Sequence, residues 1–313
     1  MTLQEGIHEG VPMEEYVRDP APEPSLSTGI LHALYERSPL HAFTEHPRLN
    51  KGWRPDESSR ADIGSAVHAC ILGGKDIVFA PDQFQDWRKK EAQEFRDAAR
   101  MAGKIPLLEK DKPNIVIPAK HATEFMERSG WWPEDRMMER TLIWQEGKIW
   151  KRARPDVLVS GTLVLDVKTT ENANPEAWIR TALISGGYDI QAVNAMDGVA
   201  RTCNVDPDDI EFIFILCEIS PPYAVAAVSL NPEFLECARA KVRTATRLWE
   251  RCMRKNEWPG YDARVHYAEP PKWELSRLTE RIQDRAEDPM EVFQQPAEPA
   301  EAPKPYTEEE LPF

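Results

Sequence analysis

What this chain lacks narrows its possible roles. No apolar run reaches the ~20 residues that a membrane-spanning helix needs, so no membrane partner is expected. The opening, MTLQEGIHEG, has neither the basic nor the apolar region of a secretion signal. The five cysteines, Cys70, Cys203, Cys217, Cys237 and Cys252, are odd in number and irregularly spaced, which predicts free thiols in a reducing cytoplasm. They include no close pair, whereas an iron–sulfur cluster takes four cysteines with at least two near each other, so none is expected. Positive charge is also short: 39 Lys and Arg face 53 Asp and Glu, a net charge of −14. Alone, that balance speaks against nucleic acid, because phosphate contact goes with basic surface. The excess is concentrated, however, since residues 286–313 hold eight acids and one Lys, or −7.

What is present supports a folded core. The chain has 313 residues, 41% of them hydrophobic, enough for one large domain or two small ones. Residues 1–24 end in Pro-Ala-Pro-Glu-Pro and read as an extended arm. Ser27 or Thr28 caps a short helix that stops at Ser38-Pro39, and residues 40–59 read as polar loop. Helices are expected over 60–72, closed by Gly73-Gly74, over 83–102 and over 118–129. Strands follow at 139–144 and 148–154. Asn174 and Pro175 open a helix, and another carrying Gln191 runs from Tyr188 to about Thr202. Residues 211–219 form a continuous apolar run, the mark of a strand covered on both faces. A neighbouring strand (223–230) and a long helix from Asn231-Pro232 complete the core. The pattern predicts an α/β layer architecture around one mixed sheet, with the domain spanning 25–270. A short helix is expected after Pro270-Pro271, within a Pro/Glu-rich tail (271–313) whose last part should be disordered.

The most informative stretch is Lys151–Thr170, KRARPDVLVSGTLVLDVKTT, which reads as a β-hairpin. Side chains alternate along a strand, so Asp166 and Lys168 share one face while Leu163, Leu165 and Val167 share the other. With a three-residue loop, Val159-Ser160-Gly161, Asp156 falls on the face of Asp166, diagonally within about 5–8 Å. A two-residue loop would turn Asp156 to the wrong face. Two carboxylates held that close in a buried setting call for a cation between them, most simply a divalent ion.

Pro155-Asp156 followed by Asp166-Val167-Lys168 resembles the PD-(D/E)xK nuclease superfamily. Gly64-Ser-Ala66-Val-His68, Asp166-Val-Lys-Thr-Thr and Tyr188-Asp-Ile-Gln191 together are similar to its RecE-type (exonuclease VIII-like) branch, as are Glu15-Tyr16, Ser25–Ile30 and Ser38-Pro39 in that order. The resemblance runs from about Met13 to Leu275. It implies a restriction-endonuclease-like core, with a central mixed sheet, an antiparallel hairpin and flanking helices. It also implies metal-dependent exodeoxyribonuclease activity of phage or bacterial recombination type, with DNA ends as substrate. Resection from the 5′ end would leave 3′ single strands for an annealing partner, and the enzyme would be a homo-oligomer. Asp156, Asp166, the Val167 carbonyl and His68 would hold Mg²⁺ or Mn²⁺. Lys168 would orient or deprotonate the attacking water, and Gln191 would position the scissile strand. The plainer reading of His68, on the apolar stretch AVHACIL, is a core histidine. Glu139 is a further candidate carboxylate, and Arg152 and Arg154 are candidate phosphate contacts. In the family's Gln-x-x-x-Tyr motif the Tyr position is Ala195 here, with Tyr188 one turn earlier.

Residues Glu308–Phe313, EEELPF, are similar to the acidic, Pro-Phe-terminated tails of single-strand DNA-binding proteins. Leu311, Pro312 and Phe313 suit an apolar pocket ringed by Arg and Lys, so the tail is expected to dock on an annealing protein or on host proteins that read such tails. Two other readings use the same residues: a nuclease-fold DNA-binding or recombination-partner module with little catalysis, and a structure-specific endonuclease.

Overall fold

The computed structural model describes residues 1–54, 62–74 and 77–287. It forms two compact units, Met1–Tyr261 and Asp262–Phe313. The first opens with strand β1 (Gly6–His8), helix α1 (Met13–Val17), α2 (Thr28–His32), a wide turn over Ala33–Arg37 and α3 (Pro39–Glu45). Ser27 caps α2 and Ser38 caps α3 through their hydroxyls. Next come α4 (Asp62–Leu72), β2 (Ile77–Ala80), α5 (Lys90–Met101), β3 (Ile105–Leu108) and α6 (Pro113–Arg128). Five strands follow: β4 (Met137–Met138), β5 (Thr141–Glu146), β6 (Ile149–Ala153), β7 (Val157–Val159) and β8 (Leu163–Thr170). The remainder is α7 (Pro175–Trp178), α8 (Tyr188–Cys203), β9 (Glu211–Glu218), β10 (Val225–Ser229) and α9 (Pro232–Lys255). In the second unit the described residues include one helix, α10 (Lys272–Glu287). Among the described residues no helix is long and apolar enough to cross a membrane.

The central sheet is mixed, in the order β10-β9-β8-β7-β4, with β8 and β9 parallel and the other pairs antiparallel. Both of its faces are covered, which is why β9 reads as an unbroken apolar run. On one face Leu165, Val167, Ile213 and Ile215 pack against Ala66 and Val67 of α4 and Ile115 and Ala119 of α6. On the other, Val164, Phe212 and Phe214 pack against Ala192, Ala195 and Met196 of α8. Beyond α8 lies a third cluster, in which Ile190 and Val193 meet Val242 and Trp249 of α9.

Several expectations need correction. The strands at 139–154 do not extend the central sheet: β5 and β6 pair with β1 in a separate three-stranded sheet. Residues 1–24 are therefore no extended arm. Leu3, Val11 and Ala21 are buried with Ile143, because β5 needs β1 to satisfy its outer edge. The supposed loop at 40–59 contains α3, and the charged helix begins at Lys90 instead of 83 because 77–80 and 105–108 form a parallel pair around it. The expected tail disorder, with Leu311, Pro312 and Phe313, lies outside the described residues.

Candidate active site

The hairpin has a three-residue loop, displaced by one position from the expected one. Val159 pairs with Leu163, so the loop is Ser160-Gly161-Thr162, and Ser160 and Gly161 both take the left-handed conformation. Parity survives the displacement. One step beyond the last pair, Val157–Leu165, Asp156 comes directly across from Asp166 instead of diagonal to it.

Backbone geometry fixes Asp156. The Val167 N–H donates to its Oδ2 at 2.7 Å, in place of the ladder bond that β7 would have supplied. The N–H and C=O of one strand residue leave on the same edge, so the Val167 carbonyl faces this end of the sheet as well. His68 comes from α4, with Nδ1 3.4 Å from Asp156 Oδ2. Small residues allow this approach: a Cβ on Gly64 would lie 3.0 Å from Thr169 Oγ1, and Ala66 is fully buried. His68 therefore belongs to the site and is not a core histidine.

Asp166 is buried and engaged on both oxygens. Lys168 Nζ donates to Oδ1 at 2.5 Å and Oδ2 at 3.0 Å, and Gln191 Nε2 donates to the same atoms at 3.0 and 2.9 Å. Lys168 rests on an aromatic floor, 4.7 Å from the Tyr188 ring centre and 5.9 Å from that of Phe214. Tyr188 in turn stacks on Trp178 at 5.4 Å. Sequence reasoning missed this floor, since its members come from three separate elements; the aromatic spacing in β9 was the available signal.

The charges are out of balance. Burial, with the Asp166 charge adding to it, pushes Asp156 up to about 6. Burial alone would lower Lys168, but Asp166 and Asp156 outweigh it and hold its pKa above the usual value. The two carboxylates thus favour the ammonium form of Lys168, the form suited to orienting water.

Of the remaining candidates, Glu139 and Arg154 flank this cluster, the Glu139 N–H donating to the Asp156 carbonyl at 2.8 Å, and Arg152 lies away from it. Glu139 is not on a strand. It takes a left-handed conformation between β4 and β5, is half-exposed, and pairs with Arg154 at 3.4 Å. Arg152 is no phosphate contact, being 3% exposed and bound to Asp19 Oδ1 at 3.1 Å and to the Ser25 carbonyl at 2.8 Å. Arg154 is anchored on the Val11 carbonyl at 2.5 Å and lines a cavity of about 260 Å³ with Tyr16, Thr28, Gln191 and Ala195.

Among the described residues no three His, Cys, Asp or Glu side chains converge tightly enough to hold an ion unaided. Two adjacent carboxylates nevertheless fit Mg²⁺ or Mn²⁺. Mg²⁺ takes one or two carboxylates and completes its shell with water and phosphate oxygens. Burial raises Asp156 most, and the further push from the Asp166 charge is what such a pair produces.

Residues 35–270, about three quarters of the chain, match a family described as a PDDEXK-like domain of unknown function (DUF3799). No curated protein is significantly similar in sequence. Among solved structures, an exonuclease candidate from Eubacterium rectale is 13% identical, with a TM-score of 0.53 over 86% of this chain and 98% of its own. An alkaline exonuclease from Laribacter hongkongensis is 14% identical, with a TM-score of 0.28 over 63% of this chain and 98% of its own. A phage-related exonuclease from Haemophilus somnus is 10% identical, with a TM-score of 0.30 over 74% and 96%. At such identities a structural likeness is one of fold. The family match and a hairpin carrying Pro155-Asp156 and Asp166-Val167-Lys168 agree: the chain belongs to the PDDEXK-like family, members of which generally work with divalent metal ions.

Proposed function

We propose that this protein is a metal-dependent exodeoxyribonuclease that resects linear duplex DNA, 5′ strand first, leaving 3′ single strands for annealing. The observation that carries the reading is the convergence of Asp156, Asp166, Lys168 and Gln191 at one end of β8. Mg²⁺ or Mn²⁺ bound there would activate water and offset the negative charge that builds up on the phosphate. The protein's own groups do the rest. Asp156 is held by the Val167 N–H and Asp166 by Gln191, so both carboxylates are positioned side by side before an ion binds. The Lys168 ammonium orients the attacking water and stabilises charge on the phosphate. Its aromatic floor keeps it from swinging away. His68 supports Asp156 and stands beside it as a further ligand. Arg154 and the cavity near Gln191 suit a phosphate of the bound strand.

Linear duplex labelled at either the 5′ or the 3′ end, incubated with and without Mg²⁺, tests this. Mg²⁺-dependent loss of the 5′ label ahead of the 3′ label is expected, with no cleavage of an end-blocked duplex. Cleavage of the blocked duplex would make the protein an endonuclease, and intact DNA in every lane would leave a binding module. Residues Glu308–Phe313 are proposed to recruit the annealing protein, so Phe313→Ala should weaken its capture without slowing hydrolysis.

A further inference from the structure

Helix α8 has a second functional face. Gln191 and Ala195 lie toward the catalytic carboxylates, whereas Val193, Asp197, Ala200 and Asn204 lie on the opposite side of the helix, where a cavity of about 520 Å³ opens. That volume falls within the roughly 300–1,000 Å³ of small-ligand sites. Close packing of α8 on β5 shapes its floor: a Cβ on Gly198 would stand 2.8 Å from the Trp144 ring, and Trp144 lines the cavity.

The lining has two chemistries. Val193, Val205 and Val242 give an apolar wall. Arg201, Arg239 and Arg243, with Lys151, bring four positive charges against two acids, Glu146 and Asp197, on a chain whose net charge is −14. Lys151 is internally satisfied by Glu146 at 2.5 Å. The arginines are not committed. Arg239 and Arg243 hold only exposed carboxylates, Asp208 at 3.6 Å and Glu236 at 2.7 Å, and such surface pairs are readily exchanged. Arg201 makes no direct ion pair among the described residues, though it and Arg239 lie near enough to attract the Asp197 carboxylate. That carboxylate has no hydrogen-bond donor among the described residues, although burial pushes it up to about 6. No step of the proposed hydrolysis uses this cluster.

We propose that the cavity behind α8 binds a nucleoside 5′-phosphate, with its phosphate on Arg201, Arg239 and Arg243 and its base against the valine wall. Guanidinium forks match phosphate oxygens better than point charges do. Asn204 and Asp197 offer hydrogen-bonding groups for a base edge or sugar hydroxyl. The ligand could be a mononucleotide released from DNA or one nucleotide of a bound strand.

The test is equilibrium binding to the full chain in EDTA, which needs no catalysis and therefore stands or falls apart from the nuclease reading. Calorimetric titration with dAMP should show saturable binding, weakened at least tenfold by Arg239→Gln combined with Arg243→Gln and unchanged by Asp166→Ala. Thermal melts matching wild type establish that the variants fold. A single-stranded oligonucleotide that displaces dAMP at lower concentration identifies a strand site, and preference for dAMP identifies a product site. Absence of saturable dAMP binding at millimolar concentration overturns the proposal. So does deoxyadenosine binding as tightly as dAMP, or binding that ignores the arginine pair and is lost in Asp166→Ala.

Discussion

Asp19 and Asp166 are both buried aspartates facing cations, and their surroundings differ in one respect. Asp19 is oversupplied. Ser25 donates to it from its N–H at 2.9 Å and its hydroxyl at 2.6 Å, Arg152 pairs with it at 3.1 Å, and Arg48 and His46 stand at 3.9 and 3.4 Å. Among the described residues no second carboxylate pairs with the same cations at Asp19. At Asp166 two carboxylates, its own and that of Asp156, share one lysine. A cluster that only holds the fold together closes its charges within the protein. One that leaves negative charge over is built to be completed from outside, and its lysine is kept charged meanwhile.

The sharpest break of this comparison is Asp166→Ala. Mg²⁺-dependent DNA degradation should fall to background, because a proposed metal ligand and the partner of Gln191 are both lost. The fold should survive, because the substitution relieves the repulsion that helps raise Asp156 while Asp156 remains as counter-charge for the buried Lys168. Undiminished activity, or a collapsed melting curve, would place Asp166 in the structural class with Asp19. Lys168→Ala comes next. Divalent ion binding, followed by calorimetry, should survive because lysine is no ligand. The hydrolytic step should slow by roughly 10²–10⁴-fold. Loss of ion binding in this variant would overturn the division of roles.

How much of this was legible in the sequence depends on how far each feature relies on distant residues. The face shared by Asp156, Asp166 and Lys168 was readable because strand parity is local, and it survived a displaced loop. Gln191 was readable from an unbroken helix between Gly187 and Asn204. Arg152 was not, because its fate depends on Asp19 and Ser25, more than a hundred residues earlier. The state of Lys168 was not either: burial and carboxylate attraction pull its pKa in opposite directions, and only geometry decides which wins. The parallel pair of β2 and β3 was hidden for a similar reason, since neither strand exceeds four residues and each needs the other.

Asp19→Asn breaks the closed cluster. Asn tolerates the left-handed conformation observed at this position, so the substitution removes charge with little backbone strain. Arg152 is then left buried without its counter-charge, at a cost of about 3–5 kcal/mol in unfolding free energy. Nuclease activity measured well below the melting temperature should change little. A chemical denaturation midpoint within error of wild type would show that Ser25 alone sustains Arg152.

His46 gives the smallest effect and the finest distinction. Its ring is wholly buried, with Nε2 3.1 Å from the Ser25 carbonyl and Nδ1 accepting the Arg48 N–H at 3.2 Å, a pattern that suits the neutral ring. Burial lowers it to about 4, against the upward pull of Asp19. Between pH 6.5 and 4 the unfolded chain therefore takes up a proton that the folded one refuses, and stability falls as pH falls, by about 3 kcal/mol over the window. Asp156 and Asp197, raised to about 6, act in the opposite sense: there the folded chain holds the extra proton, and stability rises on acidification through the same range. The whole protein therefore shows only the difference between these trends. Comparing wild type with His46→Gln in EDTA isolates one of them, since both retain the two aspartates. The gap between their unfolding free energies should shift by about 3 kcal/mol in the variant's favour between pH 7 and pH 4. Parallel curves would mean that Asp19 keeps His46 charged in the fold, making the cluster an ion network instead of a carboxylate closed by arginine and neutral donors.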